Sequence, residues 1–366
     1  MTPFPLSADL PRVLGFEGEF GAEVNSFVPF IHWLHHAGLM RGRRIETYAG
    51  MRPFYFFLHP DQIEETREAR RFVHPERRPA WMPTRDDHAS VRNAFELFPD
   101  YRAHYQGGLF RGGRELLVVH NKFTPEWDRP PVNFLPLDLL ADIFAALSER
   151  FQIVYIRPGL RGTPPGYSRD HQPDLAYGDL ELLGRSPSIE VFDDIAEALS
   201  GTMPYNEAKL RLYAEARFHI TVQGGNAHLL SMFSGGLTAI HHRAGQELRH
   251  SYAHGHFSYA ATPSPCWLIC QDRDQLARCL PLLRDAEMVD GCPQIPPSHR
   301  GLLRELSPAR LTSTDRMVVP PEVDQPLMRG TLAQGHDLAE KHAVGADLGD
   351  AGYPAIERDR RLVEHR

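Results

Sequence analysis

Three short stretches carry residue types that could do chemistry. The first, 218-FHITVQGGNAHLLSMFSGG-236, is an apolar run that ends on Gln223, Gly224, Gly225 and Asn226 and leads straight into a second apolar run. This is the pattern of a strand entering a helix with glycines at the junction. A helix start presents unpaired backbone N–H groups and the positive end of its dipole. Glycines there let an anion reach the amides with no Cβ in the way. The same residues also suit a tight turn with Asn226 as the helix N-cap. The second stretch, 15-GFEGEFGAEVNSF-27, repeats glycine as G-x-x-G-x-x-G, which is not the dinucleotide fingerprint. Glu17, Glu19 and Glu23 would repel a pyrophosphate. Around Gly18 and Gly21 they suit a polyhydroxy acceptor, or a base that takes a hydroxyl proton. Glu19 is the preferred base, with Glu17 and Glu23 as rivals. An acidic first helical turn that complements the dipole is the alternative.

The third stretch is 118-VVHNKFTPEW-127, a strand that ends in a loop. Asn121 could bond a sugar or base, and Lys122 could meet a phosphate as a point charge. Arg157, at the end of QIVYIRPG, could add a bidentate contact. An exposed loop lysine is the plainer reading of Lys122. Beyond these, Glu247 follows the apolar run LTAIHHR and could hold ribose hydroxyls. The histidines of 241-HHRAGQELRHSYAHGH-256 match no zinc spacing and read as surface or loop residues. The histidines of 32-HWLHH-36 lack the glutamate of a zinc-protease helix. Asp-Arg-Asp at 272–274 reads better as a capped helix start than as a metal site. No metal site is expected.

Short β-rich runs alternate with helical stretches, which implies βαβ units and a mostly parallel sheet. Expected strands are Arg12–Phe16, Arg44–Tyr48, ELLVVHN from Glu115, QIVYIRP, SIEVFDD, HITVQ, LTAIHHR and CWLICQ. Expected helices include 25–37, the charged 61–71, 90–98, LDLLADIFAALSERF, 206–216 and DRDQLARCLPLLRD. The proline-rich, basic loop 74–88 is of the kind that carries function. Two blocks result: an amino-terminal Rossmann-like domain over 1–110 and a second over 111–295. Residues 296–366 form an extension that loses periodicity and is expected to be partly flexible, with the polar tail 330–366 flexible or loosely docked.

The chain has 366 residues and a formal charge of −7, with no sustained basic patch, so nucleic acid is not an expected partner. The amino terminus lacks a signal-peptide pattern and no window is apolar enough to span a bilayer. The four cysteines follow no zinc or redox spacing and are expected as unpaired thiols. A soluble cytoplasmic protein is expected, with peripheral membrane contact left open. Walker, nucleophile-elbow and kinase patterns are absent from the sequence.

This layout resembles a GT-B glycosyltransferase, an α/β protein with two Rossmann-like domains facing across a cleft. ITVQGGNAHLLSMFSGG followed by LTAIHHRAGQE is similar to the donor-site stretch of such enzymes, nearest to the fucosyltransferase-like and xylosyltransferase-like branches. The resemblance covers about residues 10–285 and implies a nucleoside-diphosphate sugar as co-substrate and a glycan or other hydroxyl acceptor. It places Gln223, Gly224, Gly225 and Asn226 at the diphosphate, with Asn121, Lys122 and Arg157 beside it. Glu247 falls near the ribose or base, and Gly18 and Gly21 face the acceptor. It implies no metal and no other cofactor, and suggests bacterial surface polysaccharide or glycoconjugate synthesis. A polysaccharide-modifying pyruvyl-type transferase and a non-catalytic sugar- or nucleotide-binding protein remain as alternatives.

Overall fold

Apolar runs pair side by side because each has too few polar residues to face water. In the computed structural model, residues 10–308 are described, apart from 72, 74–76, 78, 80, 83–94, 111, 127–129, 163, 165–166, 169–173, 244–251 and 254. The six strands β4 (Glu115–His120), β5 (Phe151–Ile156), β6 (Ile189–Val191), β7 (Phe218–Val222), β8 (Leu237–His241) and β9 (Cys266–Cys270) form one sheet in the order β6-β5-β4-β7-β8-β9. Every pairing in it is parallel. All five residues of β7 and of β8 are buried, as expected for inner strands of a sheet covered on both faces.

Alternate side chains supply the two faces. Leu117, Val119, Ile153 and Tyr155 point into one core with α4 (Leu137–Leu147), α10 (Arg273–Asp285) and Leu306 of α11 (Arg300–Leu306). Helix α4 contributes Leu139, Leu140, Ile143, Phe144 and Leu147, a stripe at helical spacing. Val118, Val154 and Ile156 point the other way, toward α6 (Phe192–Leu199), α7 (Tyr205–Glu215), α8 (Gly225–Leu230) and α9 (His256–Tyr259).

A smaller parallel sheet precedes this one, in the order β1 (Val13–Gly15), β2 (Arg44–Tyr48), β3 (Ile63–Arg67). Between β1 and β2 the chain is helical from Phe20 to His36, as α1 (Phe20–Ala22), a π-helical turn Glu23–Phe27 and α2 (Val28–His36). Its buried residues join the second core without a polar boundary. Rings run from Phe54 to Tyr101 (6.0 Å), Tyr101 to Phe233 (5.7 Å) and Phe233 to Tyr213 (5.8 Å). Tyr101 belongs to the short helix α3 (Tyr101–Tyr105), which lies on α7.

One sequence expectation changes here. The charged stretch 61–71 is not a helix. A 3₁₀ turn, Pro60–Gln62, leads into β3, where Ile63 is buried beside Ile45. Its carboxylates serve as cross-strand partners, Glu64 to Arg44 at 2.7 Å and Glu65 to the Arg52 backbone at 2.8 Å. Residues 296–308 are ordered into a 3₁₀ turn and α11, with Leu306 buried. A hairpin, β10 (Glu287–Val289) and β11 (Cys292–Gln294), follows α10; its turn places Asp290 and Gly291 at positive φ. The expected helix 90–98 and most of the loop 74–88 lie outside the described residues, as do the last 58 positions, 309–366. Among the described residues no helix is long and apolar enough to cross a membrane.

Arg102 ties α3 to the larger sheet. It is buried and donates to the carbonyls of Ser234 (2.7 Å), Ala216 (2.9 Å) and Ala214, which flank α7, β7 and the turn before β8. Burial pulls its guanidinium down to about 9. The variant Arg102→Met should lose about 3 kcal/mol or more, because three buried carbonyls lose charged donors. Urea unfolding checks this; an unchanged midpoint would show that the carbonyls re-pair.

Candidate functional site

In an open parallel sheet, ligands bind beyond the carboxyl ends of the strands, where the strand order reverses direction. Numbered from β4, the order here is 3-2-1-4-5-6, so the reversal falls between β4 and β7. Those strands end in His120-Asn121-Lys122 and Gln223-Gly224-Gly225. Residues a hundred positions apart in sequence thus share one crevice.

Lys122 crosses this crevice. A Cβ built on Gly224 would lie 3.1 Å from its Nζ, and Gly224 has φ +136°, so both space and backbone favour glycine. The ammonium also pairs with Glu126 at 3.3 Å. Glu126 in turn accepts from the backbone N–H of Asn133 (2.9 Å) and from its Nδ2 (2.8 Å). Asn133 Nδ2 donates to Gln223 Oε1 at 3.2 Å, and its Oδ1 accepts from Arg243 N–H at 2.9 Å. A polar network therefore ties the ends of β4, β7 and β8 together. Asn121 serves the loop behind it: Nδ2 donates to the Leu135 carbonyl, and Oδ1 accepts from the Lys122 and Leu135 amides.

Gly225 has a different role from the one its position suggested. A Cβ there would lie 2.8 Å from Phe20 Cδ1 and 3.1 Å from the backbone nitrogen of Gly21. A Cβ on Gly21 would meet Gly225 Cα and His228 Cδ2, each at 3.3 Å. The two glycine-rich turns are packed on each other, backbone to backbone. Asn226 is not the N-cap, which is Gly224. Its Oδ1 accepts from Tyr213 (2.7 Å) and its Nδ2 donates to Thr221 Oγ1 (3.2 Å), fixing α8 to α7 and β7.

The three amino-terminal carboxylates separate. Glu23 is fully buried, pairs with Arg70 at 2.8 Å and accepts from Tyr55 (2.7 Å) and Thr47. Arg70 also donates to the Gly18 carbonyl (3.3 Å) and Ser168 (3.1 Å) and stacks on Tyr48. Gly18 N–H donates to the Tyr48 hydroxyl at 2.9 Å. Glu17 is exposed; its hydrogen bond with Arg71 (2.8 Å) holds its carboxyl below the usual range. Glu19 stands at the N-cap of α1, half-buried, with no side-chain capping bond. Arg157, one strand over, is buried and forked onto Asp179, with Nη2 to Oδ1 at 3.1 Å. Glu247 lies outside the described residues.

The histidines read as surface residues include buried ones. His241, His242 and His256 are each at most 1% exposed, because the end of β8 and the start of α9 lie under covering helices. His256 Nε2 meets His228 Nδ1 at 2.7 Å. His32 bonds the Leu97 carbonyl at 2.9 Å. Asp272 caps α10 by accepting from Gln275 N–H (2.8 Å), as its sequence pattern implied. Cys270 and Cys279 are buried thiols with their sulfurs 3.5 Å apart. A hollow of about 210 Å³, with Phe110, Glu115, Glu215 and Phe218 in its wall, lies at the amino ends of β4 and β7, away from the crevice.

Sequence reasoning missed Arg70, Glu126, Asn133 and Lys209. Glu126 is four residues after Lys122, a spacing that could have been noticed. Lys209 falls on the buried stripe of α7, four residues from both Tyr205 and Tyr213, where a lysine is out of place.

Two outcomes are expected. Gly225→Ala should cost about 1–3 kcal/mol, because the added methyl meets backbone on the opposing turn; denaturant titration would show it, and a neutral effect would mean the turns can part. Stability should also fall in mild acid. Burial holds His241 down to about 3, and His120 and His219 well below 6.5. The unfolded chain protonates these rings near pH 6.5 while the fold does not, so their contribution is complete above that pH and is lost as pH falls toward the folded values. Three such rings remove up to about 4 kcal/mol per pH unit below about 6.5. Urea midpoints at about pH 7.5 and about pH 5.5 test this, and equal midpoints would contradict it.

The chain matches no protein-family model and no curated protein.

Proposed function

We propose that the protein is a glycosyltransferase that moves a sugar from a nucleoside-diphosphate sugar to a hydroxyl acceptor. The observation that carries this reading is the strand reversal between β4 and β7, with Lys122 and the Gly224 turn at its carboxyl side. In this reading the six-stranded unit takes the donor and the amino-terminal unit takes the acceptor across a cleft, in a GT-B-like arrangement. The contact of Gly21 with Gly225 supports it, since it brings the turn that carries Glu19 against the turn that follows β7.

The acceptor hydroxyl attacks the anomeric carbon, the bond from that carbon to the phosphate oxygen breaks, and a carboxylate takes the hydroxyl proton. Glu19, half-buried at the N-cap of α1, is the base we favour. Lys122 offsets charge on the departing diphosphate, and Gln223 is the adjacent polar group. Arg157 acts indirectly in this scheme, by bracing the neighbouring strand end through Asp179. Cationic side chains supply the leaving-group stabilisation, so the scheme uses no metal. Surface polysaccharide synthesis in a bacterial cytoplasm is the setting we infer. A binding protein without turnover is the second reading, favoured by the ion pairing of Glu17 and Glu23.

A thermal-shift panel of GDP-, UDP-, ADP-, CMP- and dTDP-sugars, with and without EDTA, tests the proposal. A donor at about 100 times its Kd adds about 2.7 kcal/mol of stability. One base class should raise the melting temperature, with no effect of EDTA, and Lys122→Ala should weaken it about tenfold or more. Glu19→Gln should keep the shift and lose about 100-fold or more of donor turnover, to acceptor or to water. No shift with any donor would overturn the assignment, and a shift with no turnover would favour the binding protein.

A further inference from the structure

One buried charge near the crevice has no counter-charge. Lys209 of α7 is 5% exposed. Among the described residues it has neither a hydrogen-bond nor an ion-pair partner. Its ammonium rests instead against two rings, 5.2 Å from the centroid of Phe20 and 5.9 Å from that of Tyr167. Phe20 is the first residue of α1 and the side chain that touches Gly225, so Lys209 reaches the place where the two glycine turns meet. Both Lys209 and Lys122 act electrostatically on His120, at the end of β4.

Three nearby cations are paired: Arg70 with Glu23, Lys122 with Glu126, Arg157 with Asp179. Lys209 pairs with none of these carboxylates. An ammonium removed from water without a partner is strongly disfavoured, and contact with two aromatic faces recovers only part of that cost. Burial and the nearby Arg70 lower Lys209 to about 8, which still leaves it mostly a cation at neutral pH. A purely structural position would be filled better by Met or Leu. The arrangement makes sense if an anion completes the balance.

We propose that Lys209 anchors a phosphate group of a bound ligand in the crevice between β4 and β7, with Lys122 as the second cation. A phosphate group accepts from ammonium donors on more than one of its oxygens, and the rings of Phe20 and Tyr167 give the Lys209 side an apolar wall. For the molecule that carries the phosphate the proposal rests on the donor reading above; for the anion site itself it does not.

Titration calorimetry of the full chain with inorganic pyrophosphate is the test, on wild type, Lys209→Met and the charge-matched surface variant Arg300→Met. Wild type and Arg300→Met should bind alike, and Lys209→Met about tenfold more weakly or worse. Lys209→Met should also melt at or above the wild-type temperature, since it removes an unpaired buried charge; a merely structural lysine would give a lower one. Lys209→Gln replaces it if the Met variant does not fold. No binding of pyrophosphate by wild type, or equal binding by the Lys209 variants, overturns the anchor. The donor reading then stands or falls separately on the nucleotide-sugar panel. Lys209-dependent pyrophosphate binding with no nucleotide-sugar shift keeps the anchor and removes the transferase.

Discussion

The contact on which the rest depends is the one between Gly21 and Gly225. Two helix starts, from different sheets, meet there at a distance that only a residue without a side chain allows. Everything around it follows. Phe20 is pushed sideways over Lys209, Gly18 is left beside Arg70, and His228 comes within reach of both Asn25 and His256. The glycines first suggested a ligand close to the backbone. At Gly225 the close neighbour is the protein's own chain. At Gly224, one residue earlier, it is a lysine side chain, which a ligand could share.

The polar groups near this contact form a second layer of constraint. Buried ion pairs add little net stability on average, because desolvation offsets the attraction, yet breaking one is costly. Glu23 with Arg70 and Arg157 with Asp179 therefore act chiefly as locators. They leave few geometries in which every charge is met. The Arg70 guanidinium, gripping Glu23, the Gly18 carbonyl and Ser168 at once, ties β3's trailing end to the first glycine turn and to the loop after β5. Lys122 and Glu126 do the same for the loop after β4, with Asn133 as the connector.

The larger sheet was legible because its strands are apolar runs bounded by glycine, proline and helix starts, a local signal. Its strand order was not, since pairing β4 with β7 skips a hundred residues. β3 was misread for a related reason: EETR looks like a solvated helix until Arg44 and Arg52 stand opposite its carboxylates. Only the resemblance put Lys122 beside Gly224, since the strand-end argument paired it with Arg157; the structure sets its Nζ against Gly224. Glu23 and Arg157 looked like chemistry in sequence because their partners, Arg70 and Asp179, lie 47 and 22 residues away. Lys209 went unnoticed because a single lysine in a helix reads as surface unless the buried stripe is traced through it.

The wide turn at Glu23–Phe27 has a mechanical consequence. Its five residues are all buried, and a turn of this type carries an extra residue relative to ordinary α-helix. The helix from Phe20 to His36 is thereby two rods on a common axis. The first rod is bolted to the large sheet through Gly225, and the second lies with the small sheet under Trp81 and Phe57. Glu23 opens this turn, and its pairing with Arg70 fastens the junction of the two rods to the segment that follows β3.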